Sequence, residues 1–109
     1  MTRLVVDALE EKKGEDILLI DIHEIADFTD YFILCSGSSV RMLDALAEEV
    51  VTRVKSQYSL GLRIEGQPED GWLVVDLGDV VVHLFTPDQR DYYKLEQLWA
   101  EGKVLLHLV

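Results

Sequence analysis

The segment Gly71-Trp72-Leu73-Val74-Val75-Asp76-Leu77-Gly78-Asp79-Val80-Val81-Val82-His83-Leu84-Phe85 decides the fold. It holds two runs of β-branched and aromatic residues separated by Leu77-Gly78-Asp79, a spacing that predicts a tight hairpin with Gly78 at positive φ. Because side chains alternate across a strand, one face of the hairpin is apolar and is expected to meet helices. The other face, called the mixed face below, carries Trp72, Val74, Asp76, Asp79, Val81, His83 and Phe85.

The composition of the mixed face is the first indication of function. An aromatic anchor with a charged rim is typical of protein interfaces. A half-buried sheet face with one tryptophan is also ordinary in a globular domain. Composition alone therefore leaves both interpretations open.

Upstream of the hairpin, the pattern predicts two helices and two buried strands. Residues 4–14 read as a short amphipathic helix that stops at Gly14, and residues 16–22 and 31–35 read as strands. Apolar residues then recur every three or four positions up to Gln57, and Ser38 or Ser39 can cap this helix. A strand from Leu62 and a turn at residues 67–71 lead into the hairpin.

Downstream, Thr86 is predicted to cap a helix with Pro87 at its first position, and this helix is expected to run to Gly102. The tail from Val104 to Val109 could form an edge strand or pack in a dimer. The order of elements predicts a single α/β domain over residues 1–109, in which helices pack on a small mixed β-sheet.

Charge and composition limit the class of partner. The 109 residues include 10 Lys plus Arg against 21 Asp plus Glu, a formal net charge of -11. This charge disfavours direct binding to DNA or RNA and favours a basic protein partner. The sequence lacks a signal peptide and an apolar run long enough to span a membrane, so we expect a soluble, cytoplasmic protein.

Enzyme-like features each have a simpler structural explanation. The turn from Ser36 to Ser39 could cradle a phosphate, and Asp76 with Asp79 could hold magnesium, which together would suit a metal-dependent nucleotidyltransferase. However, the turn lacks a phosphate-loop pattern, and aspartates three apart across a hairpin turn commonly bind local amides. Cys35 ends an apolar strand, as a core residue does. The three histidines share no metal-ligand spacing, so no metal or cofactor is expected.

Four strings of the sequence together resemble the ribosomal silencing factor (RsfS, or Iojap) family. They are residues 30–39, Glu65-Gly66, residues 71–85, and Tyr92-Tyr93-Lys94-Leu95-Glu96-Gln97-Leu98-Trp99. The likeness covers about Leu4 to Ala100 and leaves residues 103–109 unassigned. It implies a nucleotidyltransferase-like fold without enzyme activity.

The resemblance also implies a partner and a role. Family members dock on large-subunit ribosomal protein fourteen beside the rRNA, where a minor rRNA contact is expected. Docking there blocks joining of the small subunit and represses translation, and a role in large-subunit maturation is attributed to some members. A homodimer is expected for the free protein. The implied partner-binding residues are Trp72, Val74, Asp76, Asp79, Val81 and His83.

Overall fold

The computed structural model describes residues 1–59, 61–94, 97 and 100–108, with Tyr93 described by its backbone alone. This part of the chain forms helices α1 (Thr2–Glu11), α2 (Val40–Gln57) and α3 (Pro87–Tyr93), a 3₁₀ turn at Pro68–Asp70, and strands β1 (Glu15–Asp21), β2 (Tyr31–Ser36), β3 (Arg63–Gln67), β4 (Trp72–Asp76), β5 (Val80–Phe85) and β6 (Lys103–Leu108). The predicted order of elements is confirmed.

The strands form one mixed sheet in the order β3-β4-β5-β2-β1-β6. Strands β2 and β5 run parallel, with Tyr31 opposite Val80 and Ser36 opposite Phe85, and every other pair in the sheet is antiparallel. The parallel pairing is possible because the residues between β2 and β5 supply a long crossover connection, which consists of helix α2 and the strands β3 and β4. The predicted α/β class with a small mixed sheet is confirmed.

Helices α1 and α2 pack side by side on one face of the sheet. The apolar face of the hairpin lies beneath α2, as predicted, and its side chains join those of α2 in one core. That core includes Leu73, Val75, Leu77, Val80, Val82, Leu84, Leu43, Leu46, Val50 and Val54. Each such side chain contributes about 1.5–3 kcal/mol through burial, so this layer is the main source of stability.

The glycine at the end of α1 has a different role from the predicted helix stop. The left-handed residue after α1 is Lys13, with φ of 63°. Gly14 is required instead for close packing, since a Cβ there would lie 2.5 Å from Sγ of Cys35. At the start of α2, Oγ of Ser39 accepts a hydrogen bond from the Met42 amide over 3.2 Å, so the predicted serine cap is confirmed.

The C-terminal elements depart from the sequence prediction. Helix α3 has Thr86 at its N-cap position and Pro87 at its start, as predicted, but the Thr86 side chain makes no capping hydrogen bond. The helix ends at Tyr93 because Lys94 adopts a left-handed conformation with φ of 51°. The predicted continuation over residues 95, 96, 98 and 99 lies outside the described residues. The tail forms the edge strand β6, which pairs with β1. No helix in the described part of the chain is both long and apolar enough to cross a membrane.

Candidate functional site

The hairpin register brings the predicted site residues onto one face. Trp72 lies opposite Phe85, Val74 opposite His83, and Asp76 opposite Val81. The turn follows Asp76, and Gly78 within it has φ of 89°, as the sequence predicted. Period-two alternation therefore assigned the paired residues of the mixed face correctly, whereas Asp79 lies in the turn.

An aromatic cluster forms the centre of the mixed face. The rings of Trp72 and Phe85 stack with centroids 5.0 Å apart, and Phe32 of β2 meets the His83 ring edge-on at 4.7 Å. Nε1 of Trp72 donates a hydrogen bond to Nδ1 of His83 over 3.2 Å. The indole of Trp72 is thus held by a stack on one strand and by a hydrogen bond to the same strand.

This hydrogen bond fixes the state of His83. Because Nδ1 accepts from the indole, the neutral ring carries its proton on Nε2. Nε2 is buried and has no hydrogen-bond partner among the described residues. Burial of the ring lowers the pKa of His83 to about 4. His83 is therefore a neutral, buried residue at physiological pH.

The six predicted partner-binding residues differ in accessibility. Trp72, Val74 and Asp76 are half-buried, and Asp79 is exposed at the turn. Val81 and His83 are each only 7% exposed. The sequence could assign these residues to a face, but the alternation does not reveal how deeply each one is covered.

The two aspartates of the turn have local structural roles. Oδ1 of Asp76 accepts from the Gly78 amide over 2.9 Å, and Oδ2 of Asp76 lies 3.6 Å from a guanidinium nitrogen of Arg63 on β3. The backbone carbonyl of Asp79 accepts from the amides of Asp30 and Tyr31, each at 3.0 Å. The bonds to the Asp79 carbonyl tie the hairpin turn to the beginning of β2 at one end of the mixed face.

A shallow groove of about 490 Å³ lies beside the tryptophan. Its lining consists of Glu65, Gly66, Asp70, Trp72 and Val74. Strand β3 brings Glu65 opposite Val74, and the 3₁₀ turn brings Asp70 next to Trp72. Glu65 and Asp70 were not among the predicted site residues. The register of β3 against β4 would have identified Glu65, but the sequence of β3 alone does not specify that register.

The residues of the enzyme alternative do not form one site. The β2–β5 register places Ser36 beside Phe85, whereas Asp79 lies next to the opposite end of β5. Six residue steps along the chain separate Asp79 from Phe85, which corresponds to roughly 20 Å in an extended strand. Ser36 is buried, and its Oγ accepts from Nη1 of Arg90 over 3.0 Å. The serine turn and the aspartate pair therefore cannot bind the same metal nucleotide together.

Other chemistry is also disfavoured by the surroundings of the candidate groups. Burial raises the pKa of the Cys35 thiol to about 12, so the thiolate needed for nucleophilic attack is scarce. Within the described residues, no group of three or more His, Cys, Asp or Glu side chains is arranged to hold a metal ion.

Comparisons with known proteins identify relatives of this chain. Residues 1–107 match the family model described as ribosomal silencing factor during starvation, RsfS. The ribosomal silencing factor RsfS of Bacillus subtilis is 39% identical over 100 residues, which cover 92% of this chain and 85% of that protein. A mouse protein named mitochondrial assembly of ribosomal large subunit protein 1 is 36% identical over 89% of this chain and 44% of its own length.

Solved structures extend the similarity to three dimensions. A crystal structure from Chromobacterium violaceum matches with a TM-score of 0.86 and 37% identity, covering 91% of this chain and 82% of the other. A second structure, from Bacillus halodurans, gives a TM-score of 0.82 at 35% identity over 96% and 95% of the two chains. Together with the family model, these matches show that this chain belongs to the ribosomal silencing factor (RsfS) family.

Proposed function

We propose that this protein is a ribosomal silencing factor that docks its mixed face on large-subunit ribosomal protein fourteen and blocks joining of the small subunit. Family membership supports the role. We choose the mixed face as the docking surface because of the groove in which Trp72 and Val74 lie beside Glu65 and Asp70. Apolar and acidic groups converge there, and this combination suits a basic protein surface.

The groove offers two kinds of contact to a lysine or arginine. The alkyl stem of the cation can pack on Val74 and on the exposed part of the indole, and the charged head can interact with the ring face of Trp72. The carboxylates of Glu65 and Asp70 then accept hydrogen bonds from it. The net charge of -11 steers the whole molecule toward a basic patch and away from neighbouring rRNA, so an rRNA contact would be minor.

The six candidate residues divide into two roles in this proposal. Trp72, Val74, Asp76 and Asp79 are accessible and contact the partner. Val81 and His83 are buried beneath them and hold the face in shape, His83 through its hydrogen bond with the indole. The tryptophan is thereby presented in one orientation before docking, which reduces the entropy lost on binding.

The mechanism is steric and needs no catalysis. A standard interface of roughly 1,600 Å² in total gives stable docking. Silencing then requires only that the bound factor and the small subunit occupy overlapping space. The same docking would let the protein act on a maturing large subunit, as the name of the mouse relative suggests for that protein. The site of action would be the cytoplasm, and the free protein would form a homodimer.

Subunit joining tests the proposal directly. Purified subunits are mixed with excess protein, and the share of joined ribosomes is measured by sedimentation. The wild-type protein should reduce joining, and Asp76→Lys should reduce it less because a cation then faces a basic partner. Undiminished joining in the presence of excess wild-type protein would contradict the silencing role.

A matched variant separates docking from general electrostatics. Glu10→Lys makes the same change in net charge on α1, which packs on the opposite face of the sheet from the mixed face. It should block joining nearly as well as the wild-type protein. If Glu10→Lys and Asp76→Lys weaken the effect equally, the mixed face is not the docking surface.

A further inference from the structure

A second groove lies on the opposite side of the sheet from the mixed face. It has a volume of about 330 Å³ and runs between α2 and β3. Ile64 of β3 pairs with Val75, whose side chain lies in the core beneath α2, so Ile64 points to the helix-bearing side. Its side chain is nevertheless 51% exposed. The sheet extends past α2 here and leaves an apolar strip beside the helix.

The groove has an apolar floor and an acidic wall. The floor is formed by Ala47, Val51, Ile64, Pro68 and Leu73. Asp44 and Glu48 are exposed, lie one helical turn apart on α2, and form the wall together with Thr52. A complementary ligand therefore presents an apolar stripe with positive charge along one side.

The shape of the groove favours a helical ligand. From Asp44 to Thr52 the wall extends about 12 Å along α2, which matches two turns of a docked helix. An extended ligand that joined the sheet would have to pair with the edge of β3. That edge is interrupted by Gly66, which has φ of 94°, and then by Pro68, which has no amide hydrogen.

We propose that the α2–β3 groove is a second protein-docking site, and that it binds a basic amphipathic helix of a partner protein. The negative charges of Asp44 and Glu48 beside the apolar floor are the reason for proposing a ligand that is both basic and amphipathic. Because the groove and the mixed face lie on opposite sides of the sheet, both can be occupied at once. The protein could then hold a second protein at the surface on which its mixed face is docked.

A defined peptide tests this proposal on the intact protein. The probe is a fluorescently labelled helix of about 18 residues with a Leu stripe flanked by Lys and Arg, and its control has the same composition in scrambled order. Anisotropy should show saturable binding of the probe and at least about tenfold weaker binding of the scrambled peptide. A photo-crosslinker in place of Thr52 should attach to the probe.

Four variants locate the binding. Glu48→Lys should weaken binding about tenfold, whereas Glu10→Lys, which makes the same charge change elsewhere, should have an effect of less than about threefold. Ile64→Gln should weaken binding about fivefold or more, since it removes apolar contact without changing charge. Trp72→Ala should leave peptide affinity unchanged.

Several outcomes would overturn the proposal. One is the absence of saturable binding, and another is equal binding of the scrambled peptide. Equal loss in Glu48→Lys and Glu10→Lys would show attraction to net charge alone, and loss in Trp72→Ala would assign the peptide to the mixed face. If Ile64→Gln converts a dimer into a monomer in sedimentation velocity experiments, the occupant of the groove is a second copy of this chain. None of these measurements involves ribosomes, so they are independent of the silencing proposal.

Discussion

The indole nitrogen Nε1 of Trp72 donates a hydrogen bond to Nδ1 of His83 over 3.2 Å across adjacent antiparallel strands. This bond links the half-buried indole of the mixed face to a buried, neutral imidazole. The bond therefore holds the Trp72 side chain in one orientation in the folded protein. Two predictions depend on the relationship between these residues.

The first concerns the anchor itself. Trp72→Ala should weaken binding to purified large subunits by about 2 kcal/mol or more, the usual effect of truncating a central aromatic anchor. Trp72→Phe keeps a ring that can stack on Phe85 but loses the donor to His83, so its affinity should lie between those of the wild-type protein and Trp72→Ala. Co-sedimentation titrations give both values. Equal affinity of Trp72→Ala and wild type would remove Trp72 from the docking surface.

The second concerns pH and stability. His83 has a pKa lowered to about 4 in the folded protein, against an ordinary value of 6.5. As the pH falls from 6.5 toward 4, His83 becomes protonated in the unfolded chain but stays neutral in the folded chain. The free energy of unfolding therefore decreases. The loss from this group approaches roughly 3 kcal/mol and is complete below the folded pKa.

A variant without the imidazole isolates this effect. His83→Phe retains a ring that can stack near Phe85 and Phe32 but cannot titrate. Urea unfolding at several values between pH 7 and pH 4 should show a steeper decline for the wild-type protein than for His83→Phe, because the carboxylates are common to both. Parallel declines would mean that His83 is protonated as easily in the folded state as in the unfolded state.

Local patterns in the sequence specified the hairpin, the serine cap and the α2 helix because each depends on neighbouring residues. Alternation over residues 72–85 and the glycine at position 78 are sufficient to fix the hairpin. The end of α3 was not predictable, since a lysine at position 94 gives no signal for a left-handed conformation. Nor did the apolar tail reveal that it pairs with β1, because an apolar run suits either an edge strand or an interface.

Pairing between strands that are far apart in the sequence determines the features that the sequence alone did not predict. The parallel contact between β2 and β5 joins segments separated by two strands and a helix, and no local pattern specifies it. That contact separates Ser36 from Asp79, and so it decides against the nucleotidyltransferase arrangement. The acidic groups Glu65 and Asp70 reach Trp72 through the β3–β4 register and the 3₁₀ turn. The sequence therefore predicted which strand residues share the mixed face, but it did not predict that Glu65 and Asp70 lie beside Trp72.

A third prediction compares two glycines. Gly78 has φ of 89°, whereas Gly61 lies outside the left-handed region, and a Cβ built at either position meets no described atom within 4 Å. Gly78→Ala should therefore lower the free energy of unfolding by about 1–2 kcal/mol through backbone strain alone. Gly61→Ala should change it by no more than about 0.5 kcal/mol. Thermal unfolding of the two variants measures the difference, and equal effects would contradict the assigned turn conformation.

The last prediction concerns the contact between Gly14 and Cys35. A Cβ on Gly14 would lie 2.5 Å from Sγ of Cys35, 3.1 Å from the Leu9 carbonyl oxygen and 3.3 Å from a methyl carbon of Leu46. Gly14→Ala should therefore lower the free energy of unfolding by about 1–3 kcal/mol, as overpacking does in a closed core. Cys35→Ala alone should cost less because it removes one atom from this site.

The double variant tests whether Sγ of Cys35 is the group that excludes a side chain from position 14. Removing Sγ eliminates the shortest of the three contacts, so Gly14→Ala should be less harmful in the Cys35→Ala background than in the wild-type protein. The coupling free energy from a double-mutant cycle in urea should favour the double variant by about 0.5 kcal/mol or more. If the two effects simply add, the sulfur is not what excludes a side chain from position 14, and the Leu9 carbonyl would be the group that does.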